Sequence, residues 1–248
     1  MPDPDRPAVR CELRGAVQWL TIDREARRNA LNEEVVQLLA AGIAAAQATP
    51  ACRAIVITGA GDKAFCAGAD LQQSGAGSPF AVDYAHPRHY LVDLFRSMAA
   101  CGLPIIARAN GHALAGGFGL LCACDMAVAA DDALFGTPES KIGLTPMMIL
   151  PGMLHVLPPR AVMEMCITAE PIDAARALQW GVVNHVVPRA ELDAKLDALL
   201  ACTVERSPTA VRLGKQAFRA MRDMTSDQAL EYAQAMLPAM ASTPDARE

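Results

Sequence analysis

No stretch of this sequence approaches the roughly 20 uncharged apolar residues that a membrane-spanning helix needs. The start of the chain contains neither the apolar core nor the cleavage site of a secretory signal. The 22 basic residues are dispersed along a chain of net charge −5, without the positive stripe that nucleic-acid binding uses. We therefore expect a cytoplasmic protein with no membrane and no nucleic acid among its partners.

The cysteines also lack an informative spacing. Eight are scattered through the 248 residues, and Cys122 and Cys124 are the only close pair in the sequence. There is no Cys-x-x-Cys motif and no Cys/His cluster at zinc-ligand spacing, so we expect neither disulfides nor a metal site. A hydrophobic content of 52% in a chain of this length predicts one large core, with room for a helical appendage.

Hydrophobic periodicity predicts alternating strands and helices. Short apolar runs indicate strands at residues 17–22, 54–58, 105–109 and 126–130. Apolar residues that recur on one face predict a helix over residues 29–47. This alternation is typical of an α/β domain.

Two later regions differ from this pattern. Residues 72–87 are rich in Ser, Gly and Pro, which predicts a mobile segment. From Pro188 onward helical periodicity dominates, and the pairs Ser207-Pro208 and Ser226-Asp227 are typical helix starts. We therefore expect a helical subdomain in the C-terminal part of the chain.

Two glycine-rich stretches each follow an apolar run. They are GAGDKAFCAGADL at residues 59–71 and NGHALAGGFGLLCACD at residues 110–125. Small residues after a strand let main-chain N–H groups approach a ligand, and a helix start favours negative charge. Together the two turns indicate an oxyanion hole, in which preorganised amides stabilise charge that develops on a substrate oxygen.

At these stretches the sequence resembles the crotonase family, also called the enoyl-CoA hydratase/isomerase superfamily. The resemblance implies that the N–H groups of Ala69 and Gly116 hold the carbonyl oxygen of a coenzyme A thioester. It implies an α/β fold with a crotonase-like ββα spiral core at residues 1–188 and a C-terminal helical oligomerisation subdomain at residues 189–248. It also implies a homotrimer, or a hexamer made of two trimers.

A third motif, FGTPESKIGLTP at residues 135–146, extends the resemblance. The glutamate after its first proline, Glu139, is implied to face the oxyanion hole and to move protons at the acyl chain. A glutamate in an apolar pocket has its pKa raised toward the range that general acid–base catalysis needs. Glu139 is therefore the predicted catalytic acid and base.

The sequence departs from the family at two positions. Gly119, in GGFGL, stands where two-glutamate hydratases have a second glutamate, in GGxEL. Met147 stands where dienoyl-CoA isomerases and hydrolytic dehalogenases of the family have an aspartate. Together with Met148 and Met153, it either lines an acyl pocket or fills the core. Hydration divides its proton transfers between two carboxylates, whereas moving a double bond needs only one. One carboxylate thus favours isomerisation, and Gly119→Glu would restore the second if the backbone tolerates a side chain there.

Coenzyme A is expected to bind as part of the substrate, with no other tightly bound cofactor. His86 and His89, beside the predicted mobile segment, are further candidates for acid–base chemistry. By resemblance, the residues that contact the substrate and its coenzyme are Arg27, Arg28, Ala67, Gly68, Asp70, Leu71, Gly117 and Met147.

Two functions stay open at this point. The first is an enzyme that acts on a coenzyme A thioester and either isomerises or hydrates an enoyl-CoA. The second is a crotonase-like module with impaired catalysis, which binds acyl-CoA or another protein. Gly119 and the short C-terminal end of the sequence are the features that favour the second.

Overall fold

The computed structural model describes residues 7–72, 84–85 and 88–246. His86 and most of the segment at residues 72–87 lie outside these ranges. The strands are β1 Val9–Arg14, β2 Val17–Ile22, β3 Ala54–Gly59, β4 Ala64–Cys66, β5 Ile105–Ala109, β6 His112–Leu114, β7 Met126–Ala130, β8 Leu134–Gly136, β9 Ile172–Asp173 and β10 His185–Val187. The α-helices are α1 Glu33–Ala48, α2 Tyr90–Ala100, α3 Gly116–Cys122, α4 Leu150–Val156, α5 Pro159–Thr168, α6 Ala174–Gln179, α7 Leu192–Val204, α8 Pro208–Arg222 and α9 Ser226–Ala241. Short 3₁₀ turns lie at Glu25–Arg27, Pro138–Ile142, Arg189–Glu191 and Pro244–Ala246.

Six strands form the larger sheet, in the spatial order β1-β2-β3-β5-β7-β10. β1 and β2 are antiparallel, and the other neighbouring pairs are parallel. Side chains of β3 alternate between two hydrophobic clusters, with Ile55 and Ile57 on one face and Val56 on the other. The sheet is therefore buried on both faces, as is usual for parallel strands. The strands predicted at residues 17–22, 54–58, 105–109 and 126–130 are confirmed.

The smaller sheet contains the short strands β4, β6, β8 and β9, in that order. β4, β6 and β8 are parallel, and β9 is antiparallel to β8. Cys66 pairs with Ala113 and Leu114 pairs with Gly136, so the three parallel strands end at nearly the same level. Strands this short leave no periodic pattern in the sequence, which is why they were not predicted. Their carboxyl ends form one edge of the sheet.

α1 begins later in the chain than its periodicity predicts. Asn32 caps the helix, because its side-chain oxygen accepts a 2.9 Å hydrogen bond from a first-turn N–H. Upstream, Arg28 and Asn29 have positive φ values of 52° and 56°, which are incompatible with helix. Leu31 instead pairs with Ala69 in an isolated parallel bridge. This part of the predicted helix therefore supports the first glycine-rich stretch.

The helical character predicted beyond Pro188 is confirmed. α7 packs against the larger sheet, where Leu192, Leu196 and Leu200 belong to the same hydrophobic cluster as Val56. The domain boundary between residues 188 and 189 stays a prediction.

α8 is joined to the core by polar contacts. The ammonium group of Lys215 lies 2.5 Å from a carboxylate oxygen of Asp125, and Arg219 donates to the carbonyl oxygen of Met98 at 3.2 Å. Neither α8 nor α9 contains a buried residue. The residues of α9 are mostly exposed in the single chain, whereas those of α8 are mostly half-buried.

Membrane-spanning helices, metal-ligand groups and cysteines were each considered in the described residues. Across residues 7–72, 84–85 and 88–246, no helix combines the length and the apolar character needed to cross a membrane. The same residues contain no group of three or more His, Cys, Asp or Glu side chains placed to hold a metal ion. All eight cysteines are free thiols, and Cys52, Cys66, Cys101 and Cys122 are buried.

Candidate active site

Three segments of the chain meet at the carboxyl edge of the smaller sheet. Residues 67–69 follow β4, Ala115 and Gly116 follow β6, and residues 137–139 follow β8. The N–H of Ala115 donates a 2.8 Å hydrogen bond to the carbonyl oxygen of Gly136, which joins the second segment to the third. Adjacent strands lie about 4.8 Å apart, so the three sequence motifs are neighbours in space. Ligands commonly bind at this kind of edge.

The N–H of Ala69 points away from the segment that anchors it. Leu31 donates to the carbonyl oxygen of Gly68 at 2.7 Å, and it accepts from the N–H of Asp70 at 2.8 Å. In extended backbone successive amides point to opposite sides, so the N–H between these two bonds faces away from Leu31. This leaves the Ala69 amide directed toward the other side of the loop.

Gly116 begins α3, and its N–H has no acceptor within the helix. The first donor of α3 is Gly119, whose N–H bonds to the carbonyl oxygen of Ala115 at 3.1 Å. Amides in the first turn of a helix are unsatisfied and bear partial positive charge. A Cβ built on Gly116 would lie 3.7 Å from the nitrogen of Ala69, so the main chain of Gly116 lies beside the amide of Ala69. The structure thus brings the two predicted oxyanion donors together.

The glycines beside these donors are required by packing. Gly68 has a φ of 91°, and a Cβ placed there would lie 2.6 Å from the Cβ of Ala115. A Cβ on Gly117 would overlap the carbonyl oxygen of Cys66. Both glycines therefore let the two loops approach each other, while their contact with coenzyme A stays a prediction.

Ala115 adopts a backbone conformation that favours glycine. Its φ is 50° and its ψ is −128°, a region that residues with side chains rarely enter. Such conformations cost about 1–3 kcal/mol and cluster at functional sites. Because Ala115 directly precedes the Gly116 amide, this strain lies in the turn that positions the donor. The sequence gives no signal for it, since alanine has no preference for positive φ.

Glu139 lies in the 3₁₀ turn Pro138–Ile142. The turn is anchored by Thr137, a buried residue whose hydroxyl donates to the carbonyl oxygen of Met165 at 3.0 Å. The Oε2 atom of Glu139 is buried and has no hydrogen-bond partner among the described residues. Burial raises the pKa of Glu139 above the ordinary value of a glutamate. A carboxylate with an unpartnered oxygen and a raised pKa is suited to accept a proton from carbon.

No second carboxylate fits beside α3 without other changes. Gly119 lies one turn after Gly116, on the same face of the helix. A Cβ on Gly119 would overlap Cγ2 of Ile149 and lie 2.6 Å from its Cβ. Ile149 is 2% exposed, and the two overlapping atoms are its Cβ and a methyl group bonded directly to it, so neither is the far end of a flexible side chain. The condition attached to Gly119→Glu is therefore not met, because another side chain fills the space.

The residues predicted to contact the coenzyme surround the loop before α1. Arg27 and Arg28 are exposed, and the N–H of Ala67 donates to the carbonyl oxygen of Arg28 at 3.0 Å. Asp70 is 7% exposed and forms a 2.7 Å ion pair with Arg24. Burial by itself raises the pKa of Asp70, but hydrogen bonds led by that from Arg24 outweigh it, and the pKa is lowered. The Asp70 carboxylate thus already has a partner within the chain.

The two predicted apolar contacts lie on the surface of the single chain. Leu71 is 58% exposed and Met147 is 67% exposed. The neighbouring residues Met148 and Ile149 line a cavity of about 950 Å³ between the core and α8. Of the residues around the candidate site, Gly119 also lines this cavity, whereas Ala69, Gly116 and Glu139 do not. The acyl-pocket role of Met147 stays a prediction.

The two described histidines near the candidate site, His89 and His112, each accept a hydrogen bond from a main-chain N–H. Nδ1 of His89, the residue that caps α2, accepts a 3.2 Å hydrogen bond from the N–H of Leu91. Nδ1 of His112 accepts a 3.1 Å hydrogen bond from the N–H of Leu134. His86 lies outside the described residues, so its role stays a prediction.

Two buried asparagines that support the site were missed by the sequence reasoning. Asn29 is fully buried, and its Nδ2 donates to the carbonyl oxygens of Ala60 and Ala64 at 2.9 and 2.7 Å. Nδ2 of Asn110, which is 2% exposed, donates to the carbonyl oxygen of Gly61 at 2.9 Å. Both fix the loop that leads through β4 to Ala69, the first predicted oxyanion donor. The available signal was weak, since asparagine is usually a surface residue.

Comparisons with known proteins agree with this arrangement. A family model described as enoyl-CoA hydratase/isomerase matches residues 12–248. The carnitinyl-CoA dehydratase of Escherichia coli (strain SMS-3-5 / SECEC) is 34% identical over 224 residues, which cover 88% of this chain and 82% of that protein. The carnitinyl-CoA dehydratase of Salmonella arizonae is 34% identical over 231 residues, which cover 91% of this chain and 85% of that protein.

Solved structures share the fold. An enoyl-CoA hydratase from Mycobacterium smegmatis gives a TM-score of 0.89 at 28% identity, covering 98% of this chain and 94% of that one. An enoyl-CoA hydratase from Bacillus anthracis gives a TM-score of 0.88 at 26% identity, covering 97% and 93%. The predicted fold class, a crotonase-like α/β fold with a C-terminal helical region, is confirmed. The chain therefore belongs to the enoyl-CoA hydratase/isomerase family of the crotonase superfamily.

Proposed function

We propose that this protein acts on an acyl-CoA thioester and that its main reaction moves a double bond from the 3,4 to the 2,3 position of an enoyl-CoA. The N–H groups of Ala69 and Gly116 bind the thioester oxygen, and Glu139 transfers the proton. The family membership supports the substrate class, and the three segments at the edge of the smaller sheet support the assignment of roles.

The chemistry needs one carboxylate that works twice. Glu139 takes a proton from C2, and the electron pair left behind spreads over the thioester oxygen and the double bond as a dienolate. The two amides stabilise the negative oxygen, as oxyanion holes do. Glu139 then returns the proton to C4, which leaves the double bond between C2 and C3. These two proton transfers need no water, metal or other cofactor.

Hydration is the second candidate reaction. It is favoured by the names of the similar proteins, which are a carnitinyl-CoA dehydratase and enoyl-CoA hydratases. Adding water requires a base for the water and an acid for the neighbouring carbon. Because Gly119 provides no carboxylate, Glu139 would have to perform both steps, which makes hydration the slower reaction in this proposal.

The Oε2 atom of Glu139, which is buried and has no hydrogen-bond partner within residues 7–72, 84–85 and 88–246, is the observation that carries the proposal. Unpaired buried oxygens are rare in folded proteins and call for an explanation. A bound substrate provides this explanation, because its C–H group would lie beside the Oε2 atom and give up its proton to the carboxylate.

Glu139→Gln tests this role, because glutamine keeps the shape of the side chain but cannot accept a proton from carbon. We expect the turnover of a 3-enoyl-CoA, followed by the absorbance of the conjugated product, to fall at least about 100-fold. Acyl-CoA binding, measured by calorimetry, should persist. Glu164→Gln is the matched control, since Glu164 is exposed on α5 and undergoes the same chemical change.

Three outcomes separate the alternatives. Turnover that survives Glu139→Gln would remove Glu139 from the mechanism. Binding without any turnover of 2-enoyl- or 3-enoyl-CoA by the wild type would favour the impaired, binding-only module. Wild-type hydration faster than isomerisation would make the protein a hydratase with one carboxylate. As part of the same proposal, the protein works in the cytoplasm as a homotrimer or a hexamer of two trimers.

A further inference from the structure

Ile149 occupies the space into which any side chain at position 119 would extend. A Cβ on Gly119 would overlap Cγ2 of Ile149, and its next contact is 3.4 Å from Cζ of Phe95. Both main-chain polar groups of Ile149 are hydrogen-bonded. Its N–H donates to the carbonyl oxygen of Pro146 at 3.2 Å, and its carbonyl oxygen accepts from the N–H of Met153 at 3.0 Å. The isoleucine is therefore a fixed part of the wall along α3.

Ile149 covers the face of α3 that begins at Gly116, one of the two predicted oxyanion donors. Gly119 follows Gly116 by three residues, so both lie on one face of α3. Gly116 provides a predicted oxyanion donor, and the next turn of the same face is covered by the branched side chain of Ile149. β-branched side chains have few accessible rotamers, which limits the positions that the methyl groups of Ile149 can take.

We propose that Ile149 is a specificity-determining residue that limits the site to one carboxylate and favours proton transfer within the substrate over the addition of water. This inference rests on the proposed function. The methyl groups of Ile149 fill the place where a side chain at position 119 would project, and they offer no hydrogen bond to a water molecule beside them. Placing water there without a partner is unfavourable, so the wall lowers the chance of hydration.

The distances define a sharp test. Ile149→Gly removes both the Cγ2 and the Cβ atoms that block position 119. Ile149→Ala removes Cγ2 but keeps the Cβ atom 2.6 Å from a Cβ at position 119. The double variant Gly119→Glu/Ile149→Gly should therefore accept the new carboxylate, whereas Gly119→Glu/Ile149→Ala should not.

The readout is the ratio of kcat for hydration of a 2-enoyl-CoA to kcat for isomerisation of a 3-enoyl-CoA. We expect this ratio to rise at least about tenfold in Gly119→Glu/Ile149→Gly, because a positioned acid or base contributes roughly 100-fold or more. It should rise less than about threefold in Gly119→Glu/Ile149→Ala. Equal ratios in the two double variants, or no rise in either, would overturn the inference.

A second pair of variants covers the case in which the double variants do not fold. Ile149→Thr and Ile149→Val have nearly the same shape, but only threonine adds a hydroxyl that can hold a water molecule. The hydration-to-isomerisation ratio should be higher in Ile149→Thr than in Ile149→Val, and equal ratios would contradict the inference. A Glu139→Gln variant that still isomerises would instead defeat the proposed function, whatever the ratios at Ile149 are.

Discussion

Ala115→Gly should stabilise this protein, although alanine-to-glycine changes usually destabilise. Ala115 has a φ of 50° and a ψ of −128° in the turn that leads into α3. Glycine adopts such a conformation without steric cost, whereas alanine does not. The substitution therefore removes strain from the folded state, and it also removes the methyl group against which Gly68 packs.

The expected change in the free energy of unfolding is the sum of one stabilising contribution and two destabilising ones. Release of the backbone strain contributes about 2 kcal/mol, within the range of 1–3 kcal/mol for such conformations. The greater freedom of glycine in the unfolded chain costs about 0.7 kcal/mol. Loss of a half-buried methyl group costs about 0.4 kcal/mol, half of the value for a fully buried one. We expect a net gain of about 1 kcal/mol in the free energy of unfolding.

Urea unfolding followed by circular dichroism measures this gain. Ala113→Gly is the matched control, because Ala113 is fully buried in β6 and has no positive φ. The control loses a buried methyl group and gains unfolded-state freedom with no strain released, so it should destabilise by about 1–2 kcal/mol. If Ala115→Gly destabilised as much as Ala113→Gly does, the reasoning about strain at Ala115 would be refuted.

The remaining predictions concern pH and assembly. Because burial raises the pKa of Glu139, the rate of isomerisation should increase with pH through a pKa above that of an ordinary glutamate; a rate already constant from about pH 5 upward would contradict this. The raised pKa means that the folded state holds the proton of Glu139 more tightly than the unfolded state does. Wild type should therefore lose stability relative to Glu139→Gln as the pH rises from the pKa of an ordinary glutamate to that of Glu139 in the folded protein. The amount by which the Tm of Glu139→Gln exceeds that of wild type should be larger at about pH 7 than at about pH 4. Residues 188–241 should pack against other subunits, since Phe218, Leu230 and Leu237 are 66–69% exposed; a strictly monomeric species in sedimentation at micromolar concentration would contradict this.

The sequence was most informative where a pattern repeats along the chain. The buried strand at residues 54–58 was predicted from its apolar run, and the helix that begins at Pro208 was predicted from the Ser207-Pro208 pair. Both features depend on local chemistry, which any stretch of sequence displays directly. The same holds for the two glycine-rich turns, whose small residues are needed for the close approach of the loops.

Features that depend on distant contacts could not be predicted in this way. Asn29 was assigned to a helix, whereas it is buried against the loop before β4 by hydrogen bonds to residues more than 30 positions away. Nothing near Gly119 in the sequence indicates that Ile149 fills the space beside it. Ala115 likewise lies in a turn whose contacts are distant in sequence, since its N–H bonds to the carbonyl oxygen of Gly136 and β6 pairs with β8.

Two acidic residues near the site, Asp70 and Glu139, differ in the way that the proposed role of Glu139 predicts. Asp70 is buried next to Ala69, yet Arg24 pairs with it and its pKa is lowered, as is expected of a carboxylate that stabilises the fold. Glu139 has a raised pKa and an oxygen with no partner among the described residues, so its charged form disfavours the folded state at neutral pH. This contrast supports the proposed proton transfer by Glu139, because a raised pKa suits a carboxylate to general acid–base chemistry.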